Sequence, residues 1–494
     1  MSSLATFLAL LPWLNPFSSG PSSAVMPWLF TLVCFAVVLL LAARVRLAQV
    51  AASAWLVAAL LSAVIGLLQY FGATAALGQW VNSTHVGEAY GNLRQRNQFA
   101  TLTNIGLAAL LWWVAQGRAA SGWSAEPRTL PGGSVVAVVA AVLLAVGNAA
   151  SSSRTGLVQL VMLVVLFLVW GGARRPAVWR VLLAAVLGYG LAIVLLPMLA
   201  GLDPFSSGML RRLHEGDPRC ASRLTLWGNV LHLIAQKPWL GWGWGELDYA
   251  HFITLYPGDR FCEILDNAHN LPLHLAVELG LPLALLVCGG GLWLVWRAKP
   301  WRESDATRQM AWAVLAVILL HSLLEYPLWY GPFQVAFGLA VWLLGRRVAP
   351  GRGGIERFRP PARVLTGFVA LVLMAFVAYA AWSYHRVSQI YRPVEQRAPA
   401  YRDNTLAKIG DPWLFQNQVR FAELSITPLT AGNAAHINAL ATEMLHFSPE
   451  PRVIEKLIES AMLLRKQDEA RFYLARYRAA FPEQQARWAQ TRAH

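Results

Sequence analysis

Apolar stretches recur through residues 4–384, unbroken and mostly close to the roughly 20 residues that span a bilayer core. Their continuity excludes a β-barrel, whose strands alternate every second residue. Charged residues make up only 14% of the 494-residue chain and hydrophobic ones 56%, against about 25% charged in soluble domains. A water-soluble globular enzyme and a disordered chain are therefore excluded. An all-α, polytopic helical membrane protein remains. The pattern predicts eleven spans, at 4–14, 26–43, 49–71, 98–116, 134–150, 156–170, 179–200, 271–296, 309–326, 333–345 and 364–384. The first carries Pro12, is followed by Pro16 and lacks a basic leader, so it is read as a retained span and not as a signal peptide.

Lys and Arg collect in alternate loops, as they do on the cytoplasmic side of membrane proteins. With the N-terminus in the cytoplasm, the loops at 44–46, 118–128, 174–180, 297–308 and 346–363 hold seventeen basic residues. The short outer loops hold three, Arg94, Arg96 and Arg154. This asymmetry predicts a C-terminus on the outer side. It also turns the net charge of +15 into a topology signal plus contact with anionic lipid, with no nucleic-acid partner. The expected organisation is a seven-span bundle at 1–200, an outer loop at 201–270, four spans at 271–384 and an outer helical tail at 385–494. Tail helices are expected at 411–425, 434–447, 452–464 and 468–480, with Pro412, Pro449 and Pro482 at starts or breaks. Residues 461–482 resemble part of a tetratricopeptide-type hairpin.

Cys34 and Cys288 lie in apolar spans and read as packing residues. Cys220 and Cys262 share the outer loop, where an oxidising compartment would pair them; two free thiols are the alternative.

The polar clusters of the membrane half gather at the outer ends of spans, where they are candidates for function. In Gly91–Asn92–Leu93–Arg94–Gln95–Arg96–Asn97–Gln98, the residues Arg94, Arg96 and Asn97 stand at a helix start and suit a phosphate or a sugar; an interfacial cap is the bland alternative. In Ser151–Ser152–Ser153–Arg154–Thr155–Gly156, the Arg154 guanidinium can fork onto a phosphate or snorkel to the surface. Arg223 opens an amphipathic helix with Leu224, Trp227, Leu231 and Ile234 on one face, expected to lie along the bilayer surface. The run Pro238–Trp239–Leu240–Gly241–Trp242–Gly243–Trp244–Gly245 offers backbone approach and aromatic faces, although an interfacial aromatic belt explains its tryptophans better.

His269 and Asn270 stand at the mouth of the eighth span, with Pro272 in its first turn. His274 and Glu278 are four residues apart and share a helix face. Histidine is suited to moving a proton near neutral pH, and His269 is the candidate base. Glu325 and Tyr326, ending the ninth span, can bind an acceptor, orient His269, or simply form a helix-end cluster. Asp259, Glu263 and Asp266 have helical spacing that could hold a divalent cation, but a solvated loop face explains them equally well, and no metal site is assigned. No Walker loop, G-x-S-x-G or H-E-x-x-H occurs.

Taken together, G-N-L-R-Q-R-N-Q, S-R-T-G, R-L-T-L-W with P-W-L-G-W-G-W-G, the H-N start of a span and L-E-Y-P-L-W-Y resemble the bacterial O-antigen ligase superfamily. More closely, they resemble its protein O-oligosaccharyltransferase branch, which glycosylates type IV pilins and other periplasmic proteins. The resemblance implies a GT-C-like bundle in the inner membrane, with the active site and the tail periplasmic. It implies transfer of a glycan from undecaprenyl pyrophosphate to a protein hydroxyl, without metal or cofactor. Arg154 and Arg223 would then hold the pyrophosphate and His269 would activate the acceptor. Two guanidinium forks can balance the leaving group's charge, and the base must stand on the opposite side of the anomeric carbon. Convergence of these three side chains on a cavity open to the non-cytosolic side is expected. A ligase onto lipid A–core and a glycan polymerase share the donor chemistry. A transporter or flippase would show internal repeats and mid-membrane charges, which the sequence lacks.

Overall fold

The computed structural model describes residues 1–119, 131–216, 218–345 and 360–492, and among them there is no strand. Arg128, Arg346, Arg347, Arg352, Arg357 and Arg359 of the expected inner loops lie outside the described residues. The first helices are α1 (Ser2–Leu14), α2 (Val25–Leu41), α3 (Leu47–Tyr70), α4 (Arg96–Ala119), α5 (Pro131–Ala150), α6 (Arg154–Val169), α7 (Pro176–Leu199) and α8 (Gly208–His214). Next come α9 (Arg223–Gln236), α10 (Leu247–Ile253), α11 (Leu271–Leu279), α12 (Leu281–Ala298), α13 (Ala306–Ser322), α14 (Gly331–Gly345) and α15 (Pro360–Ser388). The tail adds α16 (Thr405–Ile409), α17 (Gln416–Ile426), α18 (Ala434–Leu445), α19 (Pro451–Leu463), α20 (Gln467–Ala480) and α21 (Pro482–Arg492).

All eleven apolar stretches are helical. Among the described residues, six helices are long and apolar enough to cross a membrane: Val25–Arg44, Leu47–Tyr70, Arg96–Gln116, Pro176–Leu199, Leu281–Arg302 and Val364–Ser388. Ser2–Leu14, Val135–Ala150, Arg154–Val169 and Gly331–Gly345 are apolar but shorter. The chain is a polytopic helical membrane protein.

The helices fall into two compact units. The first comprises Met1–Glu215 and Val295–Ala378. Within it α4 packs against α3, α5, α6 and α13. Fully buried alanines (Ala51, Ala58 and Ala59 on α3, Ala108 and Ala109 on α4) let helix backbones approach closely, as small residues do in membrane bundles. Val158, Val161 and Val165 on α6 and Leu187, Leu191 and Leu195 on α7 are exposed, an apolar outer surface suited to lipid.

The second unit comprises Gly216–Leu294 and Tyr379–His494. Helix α9 buries Leu226, Val230, Leu233 and Ile234 against Leu247, Phe261 and Val277. Of the residues on the face expected to lie along the bilayer surface, Leu224 and Leu231 are exposed, while Ile234 packs inward. Both stripes are apolar at helical spacing, and tertiary packing selects between them. In the tail, α17 to α21 stack around Ile437, Met444, Ile454, Leu457 and Tyr477. Helix α17 starts five residues later than expected, because Phe415 adopts a left-handed conformation, φ 67°, that breaks the helix before it.

The expected single span at 271–296 is also corrected. It divides at Gly280 into α11 and α12, and the stretch long enough to span begins at Leu281. The last carbonyls of a helix need outside donors. Here Trp242 N–H donates to the Val277 carbonyl at 2.8 Å and Gly243 N–H to that of Glu278 at 3.0 Å, while Leu281 N–H donates to the Pro238 carbonyl at 2.8 Å. Gly280 takes φ 85° and abuts the Trp239 carbonyl so closely that a Cβ would fall 2.1 Å from its oxygen. The Trp/Gly run is thus the clamp that ends α11.

Candidate functional site

The two arginines of interest share one local design. Ser153 caps α6, its Oγ accepting from Gly156 N–H at 3.0 Å, and Arg154 is the first helical residue. Ser222 caps α9, its Oγ accepting from Thr225 N–H at 3.2 Å, and Arg223 is again first. Serine is preferred at this position because its oxygen satisfies an otherwise unpaired amide. Neither helix has an acid in its first turn. Each guanidinium therefore stands at the positive end of a helix dipole, where anions are favoured.

In the first unit, a polar network anchors the start of α6. Ser153 Oγ donates to Asn97 Oδ1 at 2.6 Å, and Asn97 Nδ2 donates to Glu325 Oε1 at 3.4 Å. Gln95 Nε2 donates to Glu325 Oε2 at 3.3 Å. Gly156 seats α6 against its neighbours, since a Cβ there would lie 2.3 Å from Asn148 Oδ1 and 2.5 Å from Ala100. Deeper still, Thr101 Oγ1 meets His321 Nδ1 at 2.9 Å and accepts from Gln159 Nε2 at 2.9 Å. Asn104 Nδ2 donates to Gln159 Oε1 at 3.2 Å. Thr101, Asn104, Asn148, Gln159 and His321 are all buried. Polar groups thus extend below the helix ends, which corrects the expectation that they gather only there. The sequence signal was present: a polar residue inside an apolar helix costs energy unless partnered, and Thr101 and Asn104 lie one turn apart.

Glu325 and Tyr326 follow α13, which stops at Ser322 and not at 326, because Pro327 disfavours helix in the residue before it. Tyr326 stacks on Tyr330 at 6.1 Å between centroids. Arg94, exposed at φ 61°, donates to the Pro16 carbonyl, and Arg96 pairs with Glu88 at 3.4 Å.

In the second unit, His269 is half-buried in a left-handed conformation at φ 49°. Non-glycine residues in this region are uncommon and often sit at functional sites. Its N–H donates to Asn267 Oδ1 at 2.8 Å, and Trp227 Nε1 donates to the Ala268 carbonyl at 3.2 Å. Asn270 caps α11 by accepting from Leu273 N–H at 3.1 Å. The loop before this turn is braced by a Cys220–Cys262 disulfide and by Asn229, which donates to the Asp259 carbonyl at 2.9 Å and accepts from Phe261 N–H at 2.8 Å. Asp259, Glu263 and Asp266 lie on irregular backbone, so the helical spacing considered for them does not apply. Helix α10 docks on the tail. Phe252 enters the tail core, Arg476 Nε donates to the Ile253 carbonyl at 2.7 Å, and His446 pairs with Glu246 at 2.6 Å while stacking on Tyr249 at 3.8 Å. Arg154 therefore belongs to the first unit, and Arg223 and His269 to the second.

His274 and Glu278 meet at 3.5 Å, both almost wholly buried, on α11 ahead of the span. Burial pushes Glu278 up to about 7 and pulls His274 down to about 4, with a smaller contribution from His269. Between those values the pair is neutral. Burial likewise raises Asp248 to about 7. In the unfolded chain Glu278 titrates near 4.3, so the folded state holds a proton that the unfolded one releases. The stability this gives is full below about pH 4 and is lost as pH rises through about 7. Glu278→Gln keeps the neutral form at every pH. Its melting temperature relative to the parent should therefore increase between about pH 5 and 8; a pH-independent difference would contradict the assignment.

Three family models match the chain. Residues 89–114 match a protein glycosylation ligase model, residues 139–288 the O-antigen ligase model, and residues 309–494 the C-terminal model of a virulence factor membrane-bound polymerase. The ComP-specific O-oligosaccharyltransferase of Acinetobacter baylyi is 24% identical over 301 residues, 60% of this chain and 51% of the relative. The general O-oligosaccharyltransferase of the same organism is 24% identical over 300 residues, 58% of this chain and 48% of the relative. The matched part thus spans about half the length of these curated relatives. No solved structure matches significantly. The glycosylation-ligase segment contains Arg94, Arg96 and Asn97, the ligase model contains Arg154, Arg223 and His269, and the third model contains Glu325 and Tyr326. The chain is thus similar to the O-antigen ligase family over residues 139–288 and to protein glycosylation ligases over residues 89–114.

Proposed function

We propose that this protein transfers an oligosaccharide from undecaprenyl pyrophosphate to a hydroxyl of a protein, such as a type IV pilin, at the outer face of the bacterial inner membrane. The observation that carries the reading is the pair of serine-capped helices that open on Arg154 and Arg223 with no acid in the first turn. A guanidinium at a helix start suits an anion, and a pyrophosphate leaving group is one. Arg154 and Arg223 balance the charge that develops on it. His269 takes the proton of the acceptor hydroxyl, and Asn97, Asn270, Glu325 and Tyr326 hold the surrounding groups. Eleven crossings, a cytoplasmic N-terminus and a periplasmic tail fit the seventeen-to-three partition of basic residues between loops. A Cys220–Cys262 disulfide fits an oxidising outer compartment.

The match of residues 309–494 to a polymerase C-terminal model favours a second reading, extension of one lipid-linked glycan by another. Co-expression with a lipid-linked glycan pathway and candidate pilins separates the two. A mass increase on the pilin supports protein transfer; glycan laddering on an unmodified pilin supports polymerisation. In a purified assay Arg154→Ala and Arg223→Ala should each weaken donor binding by about 10–100-fold, the worth of one hydrogen bond to a charged group. Unchanged donor affinity in both variants would remove the clamp from the mechanism.

A further inference from the structure

A cavity of about 200 Å³ lies in the first unit, between the end of α1, the start of α2, the segment leading into α4 and the turn before α14. It plays no part in the transfer chemistry above. Gln98, on its wall, is 1% exposed, and its Nε2 has no hydrogen-bond partner. A buried amide left without an acceptor costs about 1–3 kcal/mol, so the position calls for an incoming oxygen. Trp28, Trp329 and Tyr330 supply aromatic surface. The Trp28 indole is held by donating to Gln334 Oε1 at 2.9 Å, and Gln334 in turn donates to the Leu328 carbonyl at 2.8 Å. The charged group on the wall is Arg94, whose guanidinium is directed to the Pro16 carbonyl. A deep amide donor, fixed aromatic faces and no carboxylate suit a neutral polyhydroxylated ring, with its C–H face on an indole and a hydroxyl oxygen on Gln98. The volume lies below the roughly 300–1,000 Å³ of pockets for larger ligands, so it fits one ring and not a chain.

We propose that this cavity is a subsite for a single neutral sugar ring of the donor glycan. The proposal rests on the transferase reading for its ligand. It is tested by titrating the full purified chain in nanodiscs with three probes: the lipid-linked glycan, the free oligosaccharide released from it by mild acid, and undecaprenyl phosphate. Gln98→Leu and Trp329→Ala should each weaken binding of the free oligosaccharide by about tenfold or more. Both should leave undecaprenyl phosphate affinity unchanged and raise KM for the donor with kcat retained. Trp329 is partly exposed, so its variant decides the matter if Gln98→Leu misfolds. Unchanged oligosaccharide affinity in the folded variants overturns the subsite, as does a loss confined to undecaprenyl phosphate, which would mark a lipid headgroup site. Failure of the two readings is distinguishable. Parent protein that transfers glycan while the variants bind oligosaccharide normally sinks the subsite alone. Gln98-dependent oligosaccharide binding by a parent that transfers nothing sinks the transferase reading alone.

Discussion

His269→Ala lowers glycan transfer by about 10²–10⁴-fold, the usual worth of a general base, and leaves donor binding intact. The residue sits at φ 49°, a conformation alanine adopts reluctantly, so the alanine variant mixes loss of the imidazole with backbone strain. His269→Asn separates them, because asparagine tolerates the left-handed region and cannot act as a base. Both variants should lose transfer to the same degree in a purified assay with lipid-linked donor and acceptor protein. Near-parental transfer by His269→Asn would show that the turn matters and the imidazole does not.

Gly280→Ala, a change of one methyl group, removes most of the folded protein. The added carbon would lie 2.1 Å from the Trp239 oxygen and 2.9 Å from the Leu240 nitrogen, at φ 85°. Backbone strain of roughly 1–3 kcal/mol and overpacking of roughly 1–3 kcal/mol together cost about 2–6 kcal/mol, a large part of the roughly 5–15 kcal/mol that holds most domains folded. Gly228→Ala is the control. Nothing lies within 4 Å of the position its Cβ would take, and alanine should there add about 0.5–1 kcal/mol to a helix interior. Detergent-solubilised yield and melting temperature read both. A Gly280→Ala protein that melts like its parent would mean that the Trp/Gly run does not lock the end of α11.

The features legible in the sequence are those set by neighbours along the chain. Apolar runs gave the helices; the starts at Arg223 and Leu271 are the expected ones, while α6 begins at Arg154, two residues before the expected 156, on its Ser153 cap. The break at Gly280 was not legible. Its cause is a set of main-chain hydrogen bonds from residues about forty positions earlier, and main-chain donors carry no residue signature. The inner stripe of α9, Leu226, Val230 and Leu233, was not legible, because its partners Leu247, Phe261 and Val277 come from later in the chain. The inner polar network around Gln159 is hard to read from sequence because its members come from α4, α6 and α13, one or two to a helix.

The docking of α10 on the tail bears on how family members can be recombined. Phe252 is part of the tail's interior although it is encoded some 160 residues before that helical stack begins at Gln416. A chimaera that grafts a foreign tail after the last span would leave this phenylalanine facing a surface shaped for a different side chain. Productive grafts must carry Glu246–Ile253 along with their own C-terminal helices, so the two segments should be inherited as a single cassette.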